Sequence, residues 1–246
     1  MSVARGRRSH ATWDDADAYD RFMGRFSAVL APQLADLAGM RPGQRALDVG
    51  CGPGALTGEL ARRLGPEMVT AVDLSEPFVA AVTERYPGVT ALVASGERLP
   101  FADEVFDGAF AQLALHHMDE SMVALAEMIR VTRSGGVVVM CDWADEEWSA
   151  SSPHGPFWRA ARGLLVDRMR RCLNNVEVSM LPTAVRYESF DEWWVVVAEG
   201  VGTSGGLAKS LDPESRERLS ELCRAALPEG SFTVEARSRA VRGTVP

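Results

Sequence analysis

The densest chemistry in the chain lies in Ala46-Leu47-Asp48-Val49-Gly50-Cys51-Gly52-Pro53-Gly54-Ala55, where three glycines follow directly on an apolar run. Missing side chains let a ligand approach the backbone there, and a helix starting after the loop turns its free N–H groups toward that ligand. The spacing Gly50-x-Gly52-x-x-Ala55 satisfies a dinucleotide fingerprint, and Asp73 follows at the distance, about 20 residues, where an acid takes ribose hydroxyls. Either of two nucleotide-like cofactors fits that pattern. Asp48 tilts the choice, because a carboxylate two residues before the first glycine suits a nearby cationic group and repels a pyrophosphate.

Other residue types offer chemistry further on. His116-His117 falls just past a predicted strand, at the edge where parallel sheets hold ligands, so His117 is a candidate general base and both rings are candidate substrate contacts; a structural role is the plainer reading. Asp142 and Trp143 end the next strand and face the same crevice, with a turn or cap role as the alternative for Asp142. Of the pair Trp193-Trp194, one ring belongs to a core face and Trp194 is a candidate for the substrate pocket. Arg159, Arg162, Arg168, Arg170 and Arg171 make one helix basic, which reads first as a solvated face. The four cysteines, Cys51, Cys141, Cys172 and Cys223, form no CxxC or Cys/His cluster, so no metal site is expected and reduced thiols are.

Elements must position these groups. From Arg45 to Asp142 strand and helix signals alternate: strands at Arg45 to Val49, Val69 to Asp73, Val89 to Ala94, Phe106 to Ala111 and Val137 to Cys141. Leu56, Leu60 and Leu64 mark a helix closed by Gly65, Ser75 caps another that stops before Pro87-Gly88, and Asp119 to Thr132 makes a third with Met122, Leu125 and Ile129 inward. This predicts an α/β, doubly wound, Rossmann-like sheet of seven mostly parallel strands with helices on both faces and a small helical lid. Asp14 to Ala38 carries two apolar stripes, and Pro32 suggests two helices there. Later segments read as strand, helix, helix and strand at Val176 to Tyr187, Phe190 to Glu199, Pro213 to Leu227 and Phe232 to Arg242, with Gly200 to Gly206 a flexible loop. The expected organisation is a tail over 1–12 and a single domain over 13–246. Within it lie lid helices at 13–40, a cofactor-binding core at 41–142, a substrate cover and late strand at 143–210, and a last helix and strand at 211–246.

With 246 residues, 46% hydrophobic and 24% charged, the chain can bury a sizeable core. A net charge of −8 disfavours nucleic acid and anionic lipid as partners, and the chain has neither a signal-peptide-like stretch nor a membrane-length apolar run. A cytoplasmic protein, monomer or homodimer, is the expectation.

The sequence resembles the class I S-adenosylmethionine-dependent methyltransferases, in the small-molecule type 11 subgroup with D-x-G-C-G-x-G loops. Four further segments carry the resemblance in order: Ala71 to Ser75, Ser95 to Phe101, Phe106-Asp107 through Leu115-His116-His117, and Arg130 to Gly136. The resemblance implies S-adenosylmethionine as cofactor and S-adenosylhomocysteine as product. Gly50, Gly52 and Gly54 would line the methionine part with Asp48 behind them, Asp73 would take both ribose hydroxyls, and Leu74 would cover the adenine. Ser95, Gly96 and Glu97 would sit at the adenine edge. Gln112 and Leu113 would reach the methionine end, and Tyr19 and Arg25 would form the lid, Arg25 aimed at the cofactor carboxylate. Ser95 stands where many relatives carry an acid, and Ser134 replaces a usual proline. No Asp-Pro-Pro-Tyr-like segment is present, which disfavours a nucleic-acid base as substrate.

The implied function is methyl transfer to an oxygen, nitrogen or carbon nucleophile of a small molecule. Two alternatives stand beside it: a protein of the same fold that binds the cofactor without methylating, and an NAD-dependent oxidoreductase.

Overall fold

The computed structural model describes residues 15–144, 155–199 and 202–246, with side chains left undescribed over 155–162 and 199–205. The proposed tail and most of the polar stretch after Trp143 lie outside the described residues. The strands are β1 (Ala46–Val49), β2 (Val69–Asp73), β3 (Thr90–Val93), β4 (Phe106–Gln112), β5 (Thr132–Trp143), β6 (Asn174–Tyr187) and β7 (Phe232–Thr244). They form one sheet in the order β3-β2-β1-β4-β5-β7-β6. β1 to β5 pair in parallel, whereas β7 runs antiparallel to both β5 and β6. The order reverses at β1, between β2 and β4, and that reversal opens the crevice at the carboxyl ends where α/β sheets place ligands.

The helices are α1 (Ala16–Tyr19), α2 (Arg25–Ala38), α3 (Ala55–Leu64), α4 (Glu76–Arg85), α5 (Ser121–Val131), α6 (Gly155–Cys172), α7 (Phe190–Glu199), α8 (Gly202–Ser210) and α9 (Pro213–Ala226). Local signals explain several ends. Ser75 Oγ accepts from Phe78 N, Asp212 Oδ1 accepts from Ser215 N, and Gly39 ends α2 in the left-handed conformation at φ +67°. One apolar cluster lies under α5 and α6 around Leu47, Phe106, Leu125, Met128 and Val138. A second lies under α2 and α3 around Leu30, Leu34, Leu60 and Phe110. Among the described residues no helix is long and apolar enough to cross a membrane, and no group of His, Cys, Asp or Glu could hold a metal.

Four expectations need correction. Pro32 sits inside α2 rather than between two helices; the carbonyl it leaves without a partner belongs to Ala28, which is exposed to water. The interruption comes earlier, as a π turn at Asp20–Gly24, where a β-carbon on Gly24 would come 2.9 Å from Asp20 Oδ1. Met122 is 37% exposed, because the inward face of α5 runs through Ala124, Leu125, Met128 and Val131. Most of Gly200 to Gly206 belongs to α8, anchored by buried Ala208. β5 is also longer than expected, since antiparallel pairing with β7 extends it to Trp143.

The β6–β7 ribbon continues past the end of β5, with Tyr187 opposite Phe232, and packs against α2. Phe26 is the joint: it is buried with Val185, Tyr187 and Phe232 and meets Trp143 edge-on at 5.6 Å. Phe26→Ala should therefore destabilise the protein by about 3–5 kcal/mol. A loss of unfolding free energy in urea of less than about 1 kcal/mol would show that the ribbon does not depend on α2.

Candidate functional site

β1 ends at the carboxyl edge and the chain turns through Gly50, Gly52 and Gly54 at φ +70°, +54° and +98°, conformations that L side chains rarely adopt. Gly50 has a second constraint, because a β-carbon there would lie 2.5 Å from the Ala114 methyl group. The loop is fastened by Gly50 N and Cys51 N donating to Val72 O at 2.8 and 3.1 Å. Gly52 N donates to Asp73 Oδ2 at 2.9 Å, while Asp73 Oδ1 accepts from Ser75 N at 2.9 Å. Asp73 thus stands fixed beside the loop, and burial raises its pKa. Leu74, the next residue, is 71% exposed at the open edge.

Beneath the loop Asp48 is fully buried. Thr57 Oγ1 donates to its Oδ2 at 2.7 Å, whereas Oδ1 is buried without a partner. Burial pushes its pKa up to about 7, against the Thr57 hydrogen bond, which lowers it. Gln112 at the end of β4 repeats the arrangement: its Nε2 donates to Ser27 O at 3.0 Å and its Oε1 is buried without a partner. Both side chains line one narrow cavity with Tyr19, Gly50 and Cys51. Two acceptors left open in one cavity at a glycine loop form a receptor for a hydrogen-bond donor, best a cationic one.

Tyr19 closes the cavity. Its ring lies where a β-carbon on Gly52 would come 3.7 Å away, it meets Phe78 edge-on at 5.3 Å, and its hydroxyl is 3.5 Å from Ser27 Oγ. Burial pushes its pKa up to about 12. Leu113 follows Gln112 at φ +54°, buried, its N–H donating to Cys141 O at 2.9 Å. Gly96 passes close under Val49 and Met118, where a β-carbon would meet side-chain carbons at 2.8 and 2.9 Å. Ser95 Oγ accepts from Glu97 N, and Glu97 Oε1 accepts from Glu120 N at 2.7 Å, so the Glu97 carboxylate serves the start of α5.

The other expected residues divide. Arg25 is turned away from the glycine loop: its guanidinium pairs with Glu192 Oε1 at 2.7 Å, donates to Arg186 O and lies 4.3 Å over the Tyr187 ring. Its expected aim is corrected, because α7 and β6 supply an acid, a carbonyl and a ring that nothing local in the sequence announces. Trp143 packs between α2 and the ribbon rather than in the glycine-loop cavity. Trp194 stacks on Phe190 and lines a separate cleft of about 440 Å³ with Leu211, Pro213 and Arg216. It is Trp193 that joins the cluster around Phe26. His116 and His117 form a short turn after β4 with ring centroids 3.8 Å apart. Desolvation, then the facing His116 ring, lowers the His117 pKa to about 4, although the residue keeps an exposed edge.

Sequence reasoning missed three contributors. Thr57 holds Asp48, and Met118 packs beside Gly50 and Gly96. Arg85 donates to Pro53 O at 3.2 Å and pairs with Asp20 Oδ2 at 2.6 Å, tying the loop to the N-terminal π turn. Only Thr57 left a local trace, as a buried polar residue on the first turn of an otherwise apolar helix face.

Residues 47–140 match the Methyltransferase domain family. A demethylmenaquinone methyltransferase of Beutenbergia cavernae is 35% identical over 114 residues, covering 46% of this chain and 47% of the relative. A malonyl-[acyl-carrier protein] O-methyltransferase of Pectobacterium atrosepticum is 34% identical over 139 residues, covering 56% and 53%. The chain thus spans about half the length of these curated relatives. In fold it is similar to a geranyl diphosphate C-methyltransferase of Streptomyces coelicolor A3(2), solved with Mg2+, geranyl diphosphate and S-adenosyl-L-homocysteine. That likeness has a TM-score of 0.56 and 17% identity, covering 90% of this chain and 80% of that one.

The raised pKa of Asp48 has a sign that stability measurements can read. Below its unfolded value the group is protonated in both states and costs nothing; as pH rises toward 7 the unfolded chain ionises first, so stability is lost through that window. Asp48→Asn should remove this loss. The variant should gain on the wild type in urea midpoint between about pH 4 and pH 8, and a constant difference would show that Asp48 ionises normally.

Proposed function

We propose that this chain, which carries a methyltransferase domain over residues 47–140, transfers a methyl group from S-adenosylmethionine to an oxygen, nitrogen or carbon nucleophile of a small molecule in the cytoplasm. The observation that carries the reading is the pair of buried, unpartnered acceptors, Asp48 Oδ1 and Gln112 Oε1, under a glycine loop that leaves its backbone bare. A dinucleotide would bring its pyrophosphate to this point and meet a carboxylate. A methionine-type ligand brings an ammonium group, which Asp48 and Gln112 are equipped to accept.

The remaining residues fit the rest of that molecule. Asp73 accepts from the backbone N–H groups of Gly52 and Ser75, one on each oxygen, and a carboxylate keeps acceptor capacity beyond them for ribose hydroxyls. Leu74 offers an exposed apolar face for a base, with Gly96 and Ser95 at the neighbouring edge. When bound, the cofactor supplies a methyl group made electrophilic by its sulfonium.

The chain's own part is to hold both reactants in line and keep water out, because alignment and desolvation lower the barrier to such a displacement. Tyr19 covers Gly52, and the Arg85–Asp20 pair holds that cover on the loop. α1 and α2 serve as the lid, and α7 with the β6–β7 ribbon as the cover over the acceptor.

Calorimetric titration with S-adenosylmethionine, S-adenosylhomocysteine and NAD tests this reading: the two sulfur compounds should bind and NAD should not. Asp73→Ala should weaken S-adenosylmethionine binding by about 1–3 kcal/mol. Binding of NAD alone would overturn the proposal, and tight sulfonium binding with no methyl transfer to any acceptor would mark a protein that binds the cofactor without using its methyl group.

A further inference from the structure

The helix α9 is placed in a way that burial does not explain. None of its 14 residues is buried, and Leu222 is 56% exposed. Its C-terminal end is seated: Leu227 joins the cluster of Tyr187 and Phe232, Arg224 pairs with Asp191 of α7, and the same guanidinium lies 4.1 Å over the Phe190 ring. Toward its N-terminal end α9 stands off from α7, and the wedge between them is a cleft of about 440 Å³, the size of a small-molecule pocket. Pro213, Arg216, Glu217 and Ser220, spaced i, i+3, i+4 and i+7, put one stripe of α9 on this cleft, and Trp194 of α7 forms its aromatic wall. A helix that only packs turns its apolar stripe inward. Here an arginine, a glutamate and a serine converge on a tryptophan while a leucine stays outside, which is the makeup of a site rather than of a core.

The aromatic wall is held in advance of any ligand. Buried Phe190 lies nearly parallel to Trp194, at 11° with centroids 6.1 Å apart, and Trp193 is tilted against it at 6.4 Å. We infer that the cleft binds a neutral, planar aromatic molecule carrying hydroxyl or ring N–H groups, a phenol or an indole in kind. Stacked on Trp194, such a molecule extends the Phe190–Trp194 pair by one ring and takes its own face out of water. Leu211 and Pro213 supply apolar contact for its edges.

The polar wall sets the rest of the class. A glutamate accepts, an arginine donates and a serine does either, so Glu217, Arg216 and Ser220 suit a ligand that both donates and accepts. The opposite charges of Arg216 and Glu217, neighbours on the same wall, offset one another, which favours a neutral molecule over an ion of either sign. The cleft shares no residue with the glycine-loop cavity, so it is a second site and does not rest on the methyl-transfer reading.

Titration with 2-naphthol tests this, read by 1H–15N NMR of the indole N–H groups, because the chain has six tryptophans and Trp194→Phe identifies one signal. The Trp194 signal should shift saturably. Decahydro-2-naphthol, saturated and no longer planar, should bind at least about 10-fold more weakly, as should 2-naphthol to Trp194→Ala. Ser220→Leu fills the cleft from the α9 side with Trp194 left in place; it should remove the shift while the other indole signals keep their positions, which shows the variant folded. S-adenosylhomocysteine should not displace the probe. The inference is overturned by the absence of a saturable Trp194 shift, by equal binding of the saturated alcohol, or by an unchanged midpoint in Ser220→Leu. Displacement by S-adenosylhomocysteine also overturns it, because the probe would then sit in the glycine-loop crevice.

Discussion

The close passage of Gly50 against Ala114 governs this molecule. A single added carbon at residue 50 would sit 2.5 Å from the Ala114 methyl, so the end of β1 and the turn after β4 can be neighbours only while residue 50 has no side chain. That contact brings together two stretches that the strand order would otherwise leave diverging, and it sets the width of the crevice. Gly50 and Cys51 then reach Val72 O, Gly52 reaches Asp73, and the loop takes a course in which β2 accepts three of its N–H groups. The sterics are prior to the hydrogen bonds, because three positive-φ positions cannot be imposed on ordinary residues by bonds of about 1 kcal/mol each.

The same crevice carries a local cost. Asp48 Oδ1 and Gln112 Oε1 are buried acceptors without donors, each a penalty of about 1–3 kcal/mol where stability alone is concerned. Thr57 relieves half of Asp48 and the Ser27 carbonyl occupies half of Gln112, so each side chain is held in place by one end and left open at the other. That division is what a preorganised receptor requires: the fastened end removes rotamer freedom and the free end waits for a donor. Arg85 and Arg25 hold the cover on from opposite sides, one to the glycine loop and one to β6 and α7.

Much of this was legible because it is local. The β2 boundaries, the Ser75 cap and the Gly65 stop follow from period and capping chemistry within a few residues, and the glycine loop announces itself by composition. What sequence reasoning misplaced depends on partners far along the chain. Arg25 meets Glu192 and Arg186, 167 and 161 residues away, so its local neighbours said nothing about where its charge would go. Trp193 and Trp194 are adjacent, and only the packing of α7 on the ribbon and α9 decides which enters the core. Pro32 misled for another reason: a proline forbids a hydrogen bond, but the carbonyl it strands lies on the wet side of α2, where water can replace the partner.

His116 and His117 show the limit most sharply, since two identical neighbours are indistinguishable by type, spacing or motif. A turn that advances by one residue swings the side chain through a large angle, so one ring lies beside the Asp142 carboxylate and the other is tilted against the first at 44°. The strand that supplies Asp142 is placed by its pairing with β4, in the register that sets Gln112 opposite Cys141. Shifting that register by one residue would send the Asp142 side chain to the other face of the sheet, away from His116. The difference between the two imidazoles is therefore a property of the β4–β5 register, and the chemistry open to each follows from which of them that register puts beside a carboxylate.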